Sequence, residues 1–416
     1  MQGIAATIEG QSGAGDGLDA AHHLRRHHHI HAGGCARSLY LHVPFCFHKC
    51  HYCDFYSFVD SQDRQERFAY ALAAQMRTIS ETAGPLESVF VGGGTPTLLR
   101  RAWWDVVLGA LHQYFAFEPA CEFTVECNPE TADLELLAAL AAGGVNRLSV
   151  GAQSFDPRHL DTLERWHDPA SVPRALDTAV AAGIERLSID LIYAIPGQTL
   201  DDVEADLRAA IALPVEHISA YALTYEPNTA MTARLARNEF EPAGEELELA
   251  MFDLVAGTLG AHGLARYEVS NFARHGAECR HNLAYWRQED WLAGGPSASG
   301  HVNGWRFKNV PNLREWLGVV EQIGAGPLVD VEPPDPCRAL AERIMTGLRL
   351  REGLPIVETC DGAAAIGAHE RLTNAVAGAI DLGRLEVRGD RWALTDAGLH
   401  HADGIAADLM AALDPD

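Results

Sequence analysis

A chain of 416 residues with 47% hydrophobic residues can bury a large core and hold two or three domains, which excludes a single small motif module. Its formal net charge of -25 offers no footprint for a phosphate backbone and would repel the anionic face of a membrane, so nucleic acid is not an expected partner. No run approaches the roughly 18 apolar residues of a membrane span, and no basic-then-apolar leader opens the chain, so a cytoplasmic protein is expected.

Residues 1–36 are rich in Gly, Ala and His, with six histidines between His22 and His31 and no apolar periodicity, and they read as a disordered tail. The first strand-like run covers 39–43. Directly after it Cys46, Cys50 and Cys53 stand in a CxxxCxxC spacing. Three thiolates on a short loop can converge on a 4Fe-4S cluster, which leaves one iron without a protein ligand and open to substrate. They can also hold zinc, with His48, His51 or Asp54 as a fourth ligand. The nine cysteines are odd in number and scattered, so they do not describe a disulfide framework. Cys35, Cys121, Cys127, Cys279, Cys337 and Cys360 read as small, partly buried hydrophobes.

Further strand-like runs cover 88–91, 122–126, 147–151, 187–192 and 217–223, and amphipathic stretches of helical period lie between them at 64–79, 103–115, 133–142, 171–182 and 201–213. Such alternation predicts βα units and a parallel sheet, because parallel neighbours need a helical crossover. Six strands in series suggest a partial (β/α) barrel, and periodicity alone leaves an open doubly wound sheet as the alternative. The cysteine loop then sits at the C-terminal mouth, where active sites of barrels lie. Other candidates fall at the ends of later strands. Gly92-Gly93-Gly94-Thr95 follows the second, Glu126 ends the third, Gln153 ends the fourth and Asp190 lies in the fifth. Glycines there let backbone amides approach a ligand. A buried carboxylate needs a partner, which a bound cofactor or Arg165 could supply to Asp190.

After about residue 325 the pattern changes. Pro333, Pro334 and Pro336 mark a linker, a helix is predicted over 337–348, and 385–387 and 392–394 flank Gly389-Asp390 as a type II′ hairpin. Helices followed by one hairpin predict a small winged-helix-like α+β domain for packing or partner contact. The expected organisation is a tail over 1–36, a core over 37–265, an extension over 266–325 and a C-terminal domain over 326–416.

The CxxxCxxC spacing with Tyr52 before its third cysteine resembles the signature of the radical S-adenosylmethionine (SAM) superfamily. That resemblance implies that the open iron chelates the methionine part of SAM and that one electron cleaves the sulfonium to a 5′-deoxyadenosyl radical. It also implies that Tyr40, Tyr52, Gly93, Gly94, Thr95, Glu126, Gln153, Arg165 and Asp190 surround the cofactor. Within the superfamily the chain is similar, over about 38–400, to the branch shared by oxygen-independent coproporphyrinogen dehydrogenases and the HemW haem chaperones.

Three features favour the chaperones. Cys53-Asp54-Phe55-Tyr56 lacks the dehydrogenases' further cysteine, and the polar tail lacks the composition of their ordered lid. The third is His281-Asn282-Leu283-Ala284-Tyr285-Trp286, which matches the HNxxYW motif that these chaperones use for haem. By residue type alone it reads equally as a half-buried aromatic turn with a hydrogen-bonded histidine. An imidazole can ligate haem iron, and Tyr and Trp offer flat faces to a porphyrin. Residues 293–299 depart from the family's Gly-x-Gly-Ala-His-Ser stretch and lack its histidine. The resemblance implies haem and haem-acceptor proteins such as respiratory enzymes as partners, with a flavodoxin or ferredoxin as reductant. It is compatible with a homodimer and with transient contact to membrane proteins. Whether SAM is turned over is left open, and the alternative is the dehydrogenase, decarboxylating coproporphyrinogen III in haem biosynthesis.

Overall fold

Six apolar runs, each followed by a helix that carries the chain back, form the parallel heart of the sheet in the computed structural model, which describes residues 20–414. They are β1 (Ala36–Val43), β2 (Ala83–Gly93), β3 (Phe117–Cys127), β4 (Arg147–Gln153), β5 (Arg186–Tyr193) and β6 (His217–Ala222). Each pairs in parallel with the next, in sequence order. The returning helices include Gln65–Ile79, Arg101–Tyr114, Leu134–Ala142, Ser171–Ala181 and Leu200–Ile211. Their amphipathic period explains the packing. Phe68, Leu72, Met76 and Ile79 recur on one face of the first of these helices and join the core that holds Leu39, Leu41 and Val89.

The sheet runs beyond the six expected strands. Next to β6 lie the short strands β7 (Ala265–Arg266) and β8 (Asn271–Ala273), and next to β1 lie β9 (Trp291–Gly294), β10 (Ser299–Val302), β11 (Trp305–Asn309) and β12 (Leu328–Glu332). The twelve strands follow the order β12-β11-β10-β9-β1-β2-β3-β4-β5-β6-β8-β7. β9 pairs in parallel with β1, Ser38 opposite Trp291, so the extension lies directly beside the strand that leads into the cysteine loop.

Two expected boundaries are corrected. Residues 1–19 of the expected tail lie outside the described residues, but Ala20–His31 is a helix rather than part of a disordered segment. Ile30 is buried, the His27 ring donates from Nε2 to the Gly326 carbonyl (2.6 Å) and Arg26 donates to that of Leu328 (3.3 Å). The histidine-rich composition hid a few apolar and donor groups that suffice to dock one helix. The C-terminal domain also begins later than 326, because β12 belongs to the large sheet and the proline run comes after it.

Beyond that run, β13 (Leu354–Pro355), β14 (Leu385–Arg388) and β15 (Arg391–Leu394) form a three-stranded sheet. It packs with helices Pro336–Gly347, Ile356–Ala365, His369–Asp381 and Ala402–Ala411 around Ile344, Leu372, Leu394 and Leu409. Gly389 has φ +64° and Asp390 does not share the positive sign, as a type II′ turn requires. The unit docks on the core through Arg351 N–H to the Tyr267 carbonyl (3.0 Å) and the Arg287–Glu352 ion pair (3.0 Å). Among the described residues no helix is long and apolar enough to cross a membrane.

Candidate cofactor site

β1 hands the chain to a loop that is fixed at several points. The Cys46 amide donates to the Phe58 carbonyl (3.0 Å), Phe58 to Pro44 (3.0 Å), His51 to Leu163 (3.3 Å) and Met231 to His51 (2.9 Å). Thus held, Cys46, Cys50 and Cys53 line a cavity of about 820 Å³ at the C-terminal end of the parallel strands. Ligand atoms on a tetrahedral zinc, at about 2.3 Å from the metal, lie about 3.8 Å from one another. Among the described residues only Asp156, His159 and Asp202 offer three ligand atoms within 4.8 Å of each other. The three thiols are spread more widely, with or without His48, His51 or Asp54, and that spread suits three separate irons of a four-iron cluster better than one zinc ion.

The same cavity gathers Tyr40, Tyr52, Gly93, Gly94, Thr95, Glu126, Gln153, Arg165 and Asp190. The glycines serve a different purpose from the one expected. Gly94 N–H donates to the Val43 carbonyl (2.8 Å), Thr95 N–H to that of Phe45 (2.7 Å) and Gly93 N–H to Glu126 (3.0 Å), so these amides are already engaged. The missing side chains are what the turn requires. A Cβ on Gly93, at φ +107°, would lie 2.4 Å from the His42 ring, and one on Gly94 would lie 2.6 Å from the Phe45 carbonyl oxygen. Gly93→Ala is therefore expected to cost about 2–4 kcal/mol, from overpacking plus backbone strain, measured as a lower urea midpoint with an unchanged slope.

His42 is itself pinned, since Nε2 donates to the Tyr56 carbonyl (2.8 Å) and Nδ1 accepts from the Tyr40 hydroxyl (3.1 Å). Burial pushes its pKa down to about 4.

A guanidinium and a carboxyl group in the cavity lack an ion partner among the described residues. Arg165 donates to the Gly151 carbonyl (3.0 Å) and approaches the Cys50 sulfur (3.8 Å), while its Nε has no partner. Glu126 accepts only from Gly93 N–H, and burial together with neighbouring Asp190 pushes its pKa up to about 8. The sequence left open a pairing of Arg165 with Asp190. Instead Asp190 accepts from Ser149 (3.3 Å), and burial raises its pKa. An unpaired guanidinium and an unpaired carboxyl that a ligand's positive charge would ionise fit a zwitterionic amino acid, and the three thiols beside them fit an iron-sulfur cluster.

The extension supplies another wall. Helix Arg280–Trp286 begins on buried Glu122, whose Oε1 accepts from the amides of Arg280 (3.0 Å) and His281 (3.4 Å) while Arg186 pairs with its other oxygen (3.1 Å). A carboxylate at a helix N-terminus satisfies orphan amides and aligns with the dipole. This orients His281, which is 1% exposed, towards the cavity. Ser88 donates to Ser38 (3.0 Å) and accepts from His281 Nδ1–H (2.9 Å), so Nε2 carries no proton, and it has no partner. Burial holds the imidazole pKa at about 3, which leaves it in the neutral form that binds metals. Asn282 and Tyr285 also line the cavity, with the Tyr285 ring centroid 4.7 Å from that of His281. Trp286 does not line it. Its ring faces the C-terminal domain, with the Arg349 guanidinium 5.2 Å from the centroid.

Sequence reasoning missed several lining residues, namely His42, Arg147, Ser149, His217, Ser219 and Lys308. Period-two alternation held the signal for Arg147, Ser149, Gly151 and Gln153 on β4, and for His217, Ser219 and Tyr221 on β6.

A model of the radical SAM superfamily matches residues 40–210. The chain is 36% identical to the haem chaperone HemW of Mycobacterium tuberculosis over 89% of this chain and 94% of that protein. It is 32% identical to the haem chaperone HemW of Escherichia coli over 87% and 94%. Among solved structures, the coproporphyrinogen III oxidase HemN of Escherichia coli, a radical SAM enzyme, superposes with a TM-score of 0.77 at 20% identity, covering 94% of this chain and 92% of that one.

Proposed function

The chain belongs to the HemW family of haem chaperones within the radical SAM superfamily, and from that premise we propose that it holds a 4Fe-4S cluster, SAM and haem and delivers the haem to acceptor proteins. The observation that carries the reading is the pair of buried groups without an ion partner, the Arg165 guanidinium and the Glu126 carboxyl, in the cavity that the three thiols line. Cys46, Cys50 and Cys53 would hold the cluster, whose chemistry when bound is the one-electron reduction of the sulfonium. Arg165 would take the methionine carboxylate and Glu126 the positive charge of the same ligand. Asp190 offers acceptors for hydroxyl groups, and Tyr52, next to Cys53, anchors the thiol loop by packing against the apolar cluster of Leu163, Ile192 and Met231. The work is cytoplasmic on this reading, with respiratory enzymes as acceptors and a small redox protein, flavodoxin or ferredoxin, as electron donor.

His281 is the residue assigned to haem iron. Its tautomer presents an unprotonated Nε2, and coordination requires the packing of Tyr40, Phe90 and Tyr285 around it to open, because that nitrogen is fully covered. A haem titration of the anaerobically reconstituted protein tests this. Stoichiometric binding with a shifted Soret band, lost in His281→Ala, is expected. Absence of binding would overturn the chaperone reading in favour of coproporphyrinogen decarboxylation, which an anaerobic assay for released carbon dioxide would then detect.

A further inference from the structure

The cavity extends past the cofactor residues to a floor near the start of the parallel strands, and there it holds a second arginine that makes no direct ion pair among the described residues. Arg147, the first residue of β4, is 2% exposed and lines the cavity. Nη1 makes one long contact with Thr124 Oγ1 (3.4 Å), and Nε has no partner. No carboxylate lies within ion-pair distance of it among the described residues. Glu122 and Asp190 act on its charge only from beyond ion-pair distance, and their oxygens are engaged elsewhere: Glu122 by Arg186 and by the helix that carries His281, Asp190 by the Ser149 hydroxyl. His217, also on the floor, cannot serve as an acceptor for it. Its Nδ1 meets the Ser188 hydroxyl (2.8 Å) and its Nε2 that of Tyr267 (2.9 Å).

A guanidinium keeps its charge even when buried, so it cannot escape the cost of isolation by losing a proton. A structural role would have been served by any neutral donor or by pairing with Glu122. What an unpaired, cavity-facing guanidinium matches is a planar anion, bound through two parallel N–H donors. Arg165 serves a different stretch of the cavity, since it donates to the Gly151 carbonyl, four residues and a backbone rise of about 13 Å further along β4 at 3.3 Å per residue. Two separated guanidiniums in one cavity correspond to two separate anionic groups.

We infer that Arg147 anchors a carboxylate of the cargo at the cavity floor, a haem propionate on the haem reading above, on which this inference rests. His281 then holds the iron and Arg147 fixes the orientation of the macrocycle, so that haem is selected over porphyrins without free acid groups. The amino acid carboxylate of SAM is the other source of the same chemistry, and it is assigned to Arg165.

The test compares haem with its dimethyl ester on the reconstituted full-length protein, in wild type, Arg147→Gln and Arg147→Lys, with SAM titrated in parallel. Wild type is expected to prefer free haem by roughly 10- to 100-fold, the range of a charge-assisted hydrogen bond. Arg147→Gln should bind both porphyrins at the affinity of the ester, and Arg147→Lys should recover part of the preference. SAM affinity should stay level across the three proteins, as should the Soret position, which the iron ligand sets. Equal binding of the two porphyrins by wild type overturns the inference whether or not a variant folds, while leaving the haem reading in place. A loss of SAM affinity in Arg147→Gln with haem binding intact overturns it by transferring the anion to the cofactor. If wild type binds neither porphyrin, the haem reading itself has failed and the inference falls with it.

Discussion

Replacing any one of Cys46, Cys50 and Cys53 with serine is expected to leave a folded protein that no longer retains iron after anaerobic reconstitution. Bound iron should fall from about four atoms per chain to background, with loss of the brown chromophore. A cluster held by only three protein ligands has no spare, so removal of one is not buffered by the others. Folding should survive because the loop is fixed by backbone bonds from Cys46 to Phe58 and from Met231 to His51, none of which uses a thiol. Cys127→Ser is the discriminating control. That residue lines the same cavity, but its thiol donates to the Asn128 carbonyl (3.2 Å) and it lies outside the loop, so its replacement should leave iron content unchanged. Equal loss of iron in Cys127→Ser and Cys50→Ser would mean that the cluster is not held as assigned. Zinc retained in place of iron, one atom per chain, would restore the mononuclear alternative.

The parts of the site that were legible in the sequence are those where one residue type can do one thing. Three cysteines within a span of eight residues have few structural uses, and the apolar runs before β-strand ends located Glu126, Gln153 and Asp190 because long buried parallel strands have a strong composition. The short strands β7 to β12 were missed for the opposite reason. At two to five residues, with Arg, Asn, His and Lys among them, they are held by pairing with neighbours rather than by their own pattern. Trp286 shows a limit of motif reading. It adjoins Tyr285, but successive residues on a helix point about 100° apart, so the face that aims His281 and Tyr285 at the cavity turns Trp286 away. Arg147 was overlooked because it opens a strand at the end remote from the cysteines. Only the fold brings its guanidinium into the chamber.

Glu126 is expected to make SAM binding depend on pH in a direction that its environment fixes. In the ligand-free protein its pKa is raised to about 8, first by burial and then by Asp190, against a reference value of 4.5. An acid whose folded-state pKa lies above its unfolded value stabilises the fold fully at low pH. That contribution is lost as pH rises from about 4.5 to about 8, because ionisation then has to occur in a buried site. A bound ligand that brings a positive charge reverses the preference and draws the carboxylate into its ionised form, so binding below pH 8 must release the proton. Affinity for SAM should therefore rise by up to about tenfold per pH unit from pH 6 to pH 8 and then level off. Calorimetry at pH 6.5 in buffers of different ionisation enthalpy gives the proton count directly. Wild type should release nearly one proton more than Glu126→Gln, and the comparison cancels any proton that the ligand itself loses, since that appears in both. Between pH 6 and pH 8 the affinity of the glutamine variant should rise less steeply than that of wild type, by up to about tenfold per pH unit. Identical proton release by the two proteins would mean that Glu126 does not face the cationic part of the ligand, and the charge pairing with Arg165 would have to be abandoned as the basis of the SAM site.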